Sequence, residues 1–306
     1  MRQGIVGIRA CRRYDKERTV RGYKMKKLVV TVIGLGVIGG SYAMALTAAG
    51  HTVYGTDTDP RSVREAKDRG MIADGSGEAA AFAAKSDVVV IALYPAQVKA
   101  QLAALIPHLK DGAVVTDVAG IKSDYVAEIE AMLPKGVQFV FAHPMAGREK
   151  RGIDYADSRV FKGANFILVP TERTSEQALE TMRGLAEDMG FGNIMSVSAQ
   201  KHDEIIAFVS QLPHAIAVAL VNSDEESAET EKFIGDSYRD LTRIASINET
   251  LWSELFLGNR ENLLRSISDF EAQLDRIKTV LERSDKAALE DIFRSSSARR
   301  QRYVKK

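Results

Sequence analysis

Cysteine is almost missing from this chain. Cys11 is the only one in 306 residues, and none occurs from Met25 onward. That excludes a disulfide framework or a thiolate metal site in the body of the protein, and it fits a reducing, cytoplasmic setting. No other metal-ligand pattern stands out, so no metal is expected. Net charge is nearly absent as well, at +1, but it is unevenly placed. Residues 1–24 hold eight Lys/Arg against Asp15 and Glu17, so this segment carries +6 and the remainder −5. An acidic body lacks the basic face that nucleic acid demands, and no nucleic-acid partner is expected. The leading segment also lacks the apolar core and small-residue cleavage site of a secretory signal. It reads as a disordered or non-native extension ahead of a natural start at Met25-Lys26-Lys27. Long apolar runs are scarce. The most apolar stretch, Ile205–Val221, spans 17 residues and contains Ser210, Gln211, Pro213 and His214. A membrane span needs about 20 residues with few polar groups. The stretch reads instead as a core helix buried on every side, and no membrane partner is expected.

What is present is an ordinary globular composition, 45% hydrophobic and 27% charged. Apolar, β-branched runs recur over residues 28–33, 51–57, 87–93, 112–117, 137–142, 165–170 and 193–197. Several are continuous rather than alternating, as strands of a parallel sheet buried on both faces should be. Helical patterns lie between them, with Pro60 in a first turn and Gly50 and Gly70 as stops. After about Ser198 strand-like runs vanish. The expected organisation is an α/β class, with a Rossmann-type parallel-sheet domain over 25–197 and an all-helical domain over 198–306. A helical unit this small rarely buries so apolar a helix alone, so a subunit interface is expected there.

Gly34-Leu35-Gly36-Val37-Ile38-Gly39 is a G-x-G-x-x-G that follows a strand and opens a helix. The first glycine permits the tight turn, the second admits a pyrophosphate to the backbone, and the third lets helix pack on strand. The helix N-terminus then offers N–H groups and its dipole to the phosphates. Asp57 follows at the end of the second strand, placed to bind a ribose 2′-hydroxyl and repel a 2′-phosphate, which favours NAD over NADP. Arg61 close by keeps NADP open.

Of the five histidines, His51 and His108 read as surface residues. His143 follows the run ending at Ala142 and opens His143-Pro144-Met145-Ala146-Gly147. Ligands of open α/β sheets bind at the carboxyl ends of the strands. His143 should therefore stand where a nicotinamide meets its substrate, and a base beside a hydride acceptor suggests a dehydrogenase. His202 and His214 lie 12 residues apart on one helical pattern. His214 follows Pro213, which would kink the helix and shape a pocket; His202 reads as structural.

Taken together, Gly34–Gly40, Thr116-Asp117-Val118, Lys122, His143–Gly147 with Glu149, Ser210–His214, Arg239–Ala245 and Trp252 resemble the prephenate/arogenate dehydrogenases of tyrosine biosynthesis, over residues 27–300. The resemblance implies a Rossmann domain followed by a helical dimerisation domain, hence a homodimer. It implies NAD-dependent oxidative decarboxylation of prephenate to 4-hydroxyphenylpyruvate, with arogenate as the alternative substrate. It also implies that His143 takes the ring hydroxyl proton and that Arg243 binds a substrate carboxylate. His214, Ser210, Arg239 and Trp252 would line the pocket, while Glu149 and Asp240 would form a gating network with Arg243. Three positions depart from the family pattern. Gly120 replaces a serine, with Ser123 or water as a substitute hydroxyl; Gln211 replaces a histidine; Arg148 replaces a small hydroxyl residue. Arg148 adds positive charge beside the substrate side chain, which favours prephenate over arogenate. A hydroxyacid dehydrogenase would use a lysine in the helical domain, and none falls between Ile205 and Ser223. A non-catalytic NAD-binding protein would have no use for His143, His214 and Arg243 together.

Overall fold

The computed structural model describes residues 26–123, 125–147, 150–224 and 230–303. The expectations for residues 1–24, Arg148 and Glu149 lie outside the described residues.

Eight strands form one sheet in the order β3-β2-β1-β4-β5-β6-β7-β8. They are β1 Val29–Ile33, β2 Thr52–Thr56, β3 Asp74–Ser76, β4 Val88–Ile91, β5 Val114–Asp117, β6 Gln138–Met145, β7 Asn165–Val169 and β8 Asn193–Ser196. Every residue of β4 is buried, which accounts for its uninterrupted apolar sequence. Helices α1 Val37–Ala48, α2 Pro60–Asp68, α3 Ala80–Ala83, α4 Pro95–Leu105, α5 Val126–Met132 and α6 Glu176–Asp188 cover the two faces. One core gathers α1 and α6 with Val30, Val32 and Phe166; the other gathers α4 and α5 with Val89, Ile91 and Phe139.

The sheet is not wholly parallel. β6 pairs with β5 in parallel only through Gln138–Val140, then with β7 in antiparallel fashion through Phe141–Met145. It outruns β5 because the Asp117 carboxylate takes over as partner: Ala142 N–H donates to Asp117 Oδ1 at 3.1 Å. His143 is therefore a strand residue, opposite Ile167, rather than the first residue after a strand. The projecting half of β6 carries it beyond the carboxyl edge of β5.

The helical half contains α7 Ala199–Ile206, α8 Leu212–Asn222, α9 Thr230–Phe233, α10 Asp236–Thr242, α11 Glu249–Leu257, α12 Arg260–Glu282 and α13 Lys286–Gln301. A π-helical turn, Ala207–Gln211, joins α7 to α8 and absorbs the break that Pro213 imposes. Residues 199–222 form a helical stretch long and apolar enough to cross a membrane by length and composition, but only 28% of it is buried. The expectation of burial on every side is thus corrected, since Phe208 is 63% and Val209 50% exposed. The face bearing His202, Asp203, Ile206 and Gln211 is buried, and Phe208 and Val209 on the other side are left uncovered by the described residues. His51 is also corrected. It is buried, accepting from Leu28 N–H at Nδ1 (3.1 Å) and meeting Asp188 at Nε2 (2.9 Å), so it ties β1 to α6. His108 is exposed as expected.

Candidate active site

A cleft of about 860 Å³ runs between the carboxyl edge of the sheet and the helical half. At one end Gly36–Gly39 line it. Gly34 has a φ of +89°, and a Cβ there would lie 2.5 Å from Ala92 O, so only glycine makes this turn. Gly36 caps α1 with no side chain, and nothing lies within 4 Å of where its Cβ would be. The first N–H groups of α1 thus face open space, as a pyrophosphate cradle requires. Leu35 is itself buried and contributes its N–H, which donates to Asp57 Oδ2 at 2.7 Å. Asp59 N–H donates to Asp57 Oδ1 at 2.9 Å, fixing the carboxylate at the end of β2. Arg61, which kept NADP open, is held by both oxygens of Asp154 at 2.8 and 2.9 Å. Both contacts come from one nitrogen, Nη2, and the pair is exposed, so it draws the guanidinium away from a 2′-phosphate only weakly. These residues fit NAD. Replacing Asp57 by Ser is expected to raise KM for NAD about 10- to 100-fold, the worth of one hydrogen bond to a charged group. Steady-state titration with NAD and NADP checks it, and an unchanged KM for NAD would remove Asp57 from the site.

At the centre of the cleft stands His143, half-buried. Its Nδ1 lies 2.9 Å from His202 Nε2, and His202 Nδ1 lies 2.6 Å from Asp203 Oδ1. Asp203 also accepts from Lys122 N–H (3.0 Å) and Ser123 N–H (2.7 Å). Burial, reinforced by the neighbouring His202 and Lys122, pushes the His143 pKa well below the ordinary 6.5. His143 is therefore neutral at pH 7 and able to accept a proton. Burial also lowers His202, partly opposed by Asp203, and the hydrogen bonds to Asp203 hold that carboxyl below its ordinary range despite burial.

Fully buried Lys122 donates to Asp117 Oδ2 (2.5 Å) and Ala119 O (2.9 Å), and Tyr125 OH donates to the same carboxylate oxygen (2.5 Å). The trio pins Val118–Gly120, which lines the cleft. A Cβ on Gly120 would lie 3.7 Å from His143 Nε2 and 3.2 Å from Leu255 Cδ2. A side chain at this position would thus sit beside the base; the Leu255 side chain crowds that space. Ser123 supplies no substitute hydroxyl, since its side chain is exposed and does not line the cleft.

Ser210, His214 and Trp252 line the facing wall. His214 stacks on Trp252 with ring centroids 3.7 Å apart, and its Nδ1–H donates to Ser210 O at 2.8 Å. Gln211 is buried, donating to Leu255 O (2.7 Å) and accepting from Asn259 (2.8 Å). Arg239, Asp240 and Arg243 are exposed and do not line the cleft, although Ile244 does. Arg239 lies 3.5 Å from Asp236. Besides His143–His202 and the Lys122 and Ser123 N–H bonds to Asp203, contacts that bridge the two halves include Arg151 with Glu249 (2.5 Å), Asn248 Nδ2–H to Tyr94 OH (2.7 Å) and Ala96 N–H to Glu254 (3.0 Å). Sequence reasoning missed Tyr94, Asn248, His202 and Asp203. Only the adjacent His-Asp pair in an apolar helix offered a signal. Among the described residues no group of three or more His, Cys, Asp or Glu is placed to hold a metal.

Both halves of the chain match known proteins. Residues 42–194 match the family described as prephenate dehydrogenase, nucleotide-binding domain, and residues 198–295 match prephenate dehydrogenase, dimerization domain. The prephenate dehydrogenase of Bacillus subtilis is 30% identical over 275 residues, covering 88% of this chain and 73% of that protein. The crystal structure of prephenate dehydrogenase from A. aeolicus in complex with hydroxyphenyl propionate and NAD+ superposes with a TM-score of 0.83 at 31% identity, over 91% of this chain and 99% of that one. That of Synechocystis arogenate dehydrogenase gives 0.76 at 28%, over 90% and 100%.

Proposed function

The chain belongs to the prephenate dehydrogenase family and is an NAD-dependent oxidoreductase, and we propose that prephenate rather than arogenate is its substrate. The observation that supports the chemistry is His143, a neutral base whose Nε2 faces the cleft that the dinucleotide loop also lines. Bound NAD supplies the hydride acceptor. His143 Nε2 takes the ring hydroxyl proton as hydride leaves the same carbon. When carbon dioxide departs, the ring becomes aromatic and the phenolate oxygen recovers that proton. The balance is closed: prephenate and NAD+ give 4-hydroxyphenylpyruvate, carbon dioxide and NADH with no net proton released. Aromatisation drives the reaction, so the protein's part is orientation and a modest base.

Prephenate carries two carboxylates. Lys150 and Arg151 line the cleft, and Arg243 adjoins Ile244, which lines it. We assign the ring carboxylate to Arg243, whose planar fork suits it, with Arg239 contributing to the pocket and Asp240 with Glu149 to a gate. Ser210, His214 and Trp252 form the apolar and polar wall opposite the base. Arg148 follows Gly147, another lining residue, and its charge favours a pyruvyl over an ammonium-bearing side chain. Arg148→Ser should lower the prephenate-to-arogenate ratio of kcat/KM by about tenfold, the worth of one charged contact; an unaltered ratio would contradict that role.

A second copy of the chain is the proposed cover for the bare face of the helical half, since residues 198–295 match a dimerization domain and Phe208, Leu257, Leu264 and Phe293 are exposed. A cytoplasmic location is proposed with it, supported by the absence of cysteine beyond Cys11. The test of substrate is NADH formation from prephenate and from arogenate in parallel, each with NAD and NADP. The proposal expects prephenate with NAD to be fastest. Turnover of arogenate alone would keep the fold and the base and replace the substrate.

A further inference from the structure

Three residues form a buried chain that begins at the base and does not reach solvent. His143 Nδ1 meets His202 Nε2 at 2.9 Å, and His202 Nδ1 meets Asp203 Oδ1 at 2.6 Å. His202 and Asp203 are both fully buried, on α7 of the helical half, whereas His143 belongs to β6 of the sheet. Proton bookkeeping along the chain has one self-consistent solution. Asp203 is surrounded by donors, namely Lys122 N–H, Ser123 N–H and His202, so it is an ionised acceptor. His202 must then carry its proton on Nδ1 and present Nε2 as a lone pair. His143 Nδ1 faces that lone pair and must be the protonated nitrogen. The His143 lone pair is left on Nε2, the nitrogen facing Gly120 and the cleft.

We propose that His202 and Asp203 are positioning residues that fix the Nδ1–H tautomer of His143 and support the imidazolium it becomes during turnover. The inference rests on the reading of His143 as the base. It makes sense of the chain's closed end. A base that loses its proton to solvent needs a wire outward; a base that returns its proton to the phenolate needs only a fixed tautomer and a counter-charge. Asp203 is the carboxylate at hand for that, because Lys122, the nearest buried cation, is already paired with Asp117 at 2.5 Å. It also accounts for Gly120. A glycine there offers no hydroxyl to orient Nε2, and orientation falls to the other ring nitrogen. Lastly, the chain crosses from helical half to sheet, so the base is set correctly only when the halves are docked.

The test uses the full chain with NAD, histidine labelled with nitrogen-15. Its five histidines are few enough to assign one by one. Two-bond proton–nitrogen spectra at neutral pH should show His143 and His202 both as Nδ1–H tautomers. An Nε2–H signature for His143 in the unaltered protein overturns the proposal without any variant. Asp203→Asn faces a nitrogen donor toward His202 or Ser123. In the first case it inverts both tautomers, and kcat should fall about 10³-fold or more, as in a hydrolytic triad given the wrong tautomer, with KM for NAD little changed. His202→Gln keeps an acceptor where Nε2 lies; His202→Leu removes it. Both alter packing alike, so the hydrogen bond is isolated by their difference: kcat of the Gln variant should exceed that of the Leu variant by about tenfold or more, the worth of one hydrogen bond. Equal kcat for the two His202 variants, or an Asp203→Asn protein whose spectra show inverted tautomers with unchanged kcat, would leave the pair purely structural. If the unaltered protein turned over no prephenate, the proposed function would fail while the tautomers stayed readable from the spectra.

Discussion

His143→Asn should reduce kcat for prephenate by about 10³-fold, the middle of the range for removing a positioned general base, while NADH still binds within a few-fold of the unaltered protein. The asymmetry follows from the geometry. His143 sits on the projecting half of β6, and none of the bonds that hold the dinucleotide loop passes through it: Gly34 N–H reaches Thr56 O, and Leu35 N–H reaches Asp57. His214, the other histidine lining the cleft, is on a different element, stacked on Trp252 with its Nδ1–H held by Ser210 O. The pH dependence has a definite sign. The folded pKa of His143 lies well below 6.5, chiefly through burial, so the base form predominates from alkaline pH down past 6.5. The kcat/KM of the unaltered enzyme should be level over that span and fall only at lower pH, as protonation removes the base. An acid limb centred at or above 6.5 would contradict the burial argument. NADH fluorescence titration and steady-state rates across pH supply both readings.

Gly39→Ala should be the most damaging of the loop substitutions, and Gly36→Ala the most selective. A Cβ on Gly39 would lie 1.8 Å from Gly34 O, which is backbone and cannot rotate away. The turn or α1 must move, at a cost of about 1–3 kcal/mol for overpacking, and the cradle loses its shape. NAD affinity should fall by about 100-fold or more, the equivalent of two hydrogen bonds of the charge-assisted kind, with a lower Tm even in the absence of NAD. At Gly36 an added Cβ meets nothing within 4 Å. That variant should fold with an unchanged Tm yet lose NAD affinity, because the methyl occupies the approach of the pyrophosphate. Thermal melts with and without NAD separate the two cases. Equal behaviour of the two variants would mean that the loop is not the phosphate site.

The sheet half was legible in the sequence because its strands are buried on both faces and must be apolar throughout, as β4 is. Its carboxyl edge then located both the glycine loop and His143. What escaped reading depends on partners remote in sequence. β3 is Asp74-Gly75-Ser76, a short polar edge strand paired with β2, with no apolar pattern to betray it. The antiparallel turn of β6 depends on a carboxylate, Asp117, 25 residues earlier. His51, following a helix stop, read as a surface residue, but it is buried and hydrogen-bonded to Asp188, 137 residues away. His202 read as structural because its significance comes from His143, 59 residues off and on another domain. Apolarity all round residues 205–221 gave burial, but could not say whether the cover comes from the same chain. The resemblance named His214, Ser210 and Trp252, which line the cleft, and Arg239 and Arg243, which stand outside its lining in the single chain.

The account turns on one cleft in which His143 borrows and returns a proton while hydride passes to NAD. The most direct test is the stoichiometry of a single turnover with enzyme in excess over prephenate, following NADH, carbon dioxide and 4-hydroxyphenylpyruvate together with proton uptake in weak buffer. The expected result, read before the carbon dioxide hydrates to bicarbonate and releases its own proton, is one of each product per prephenate, no net proton released, and none of the products from His143→Asn on the same timescale. NADH without carbon dioxide, release of a full proton ahead of that hydration, or undiminished turnover by the variant would contradict it.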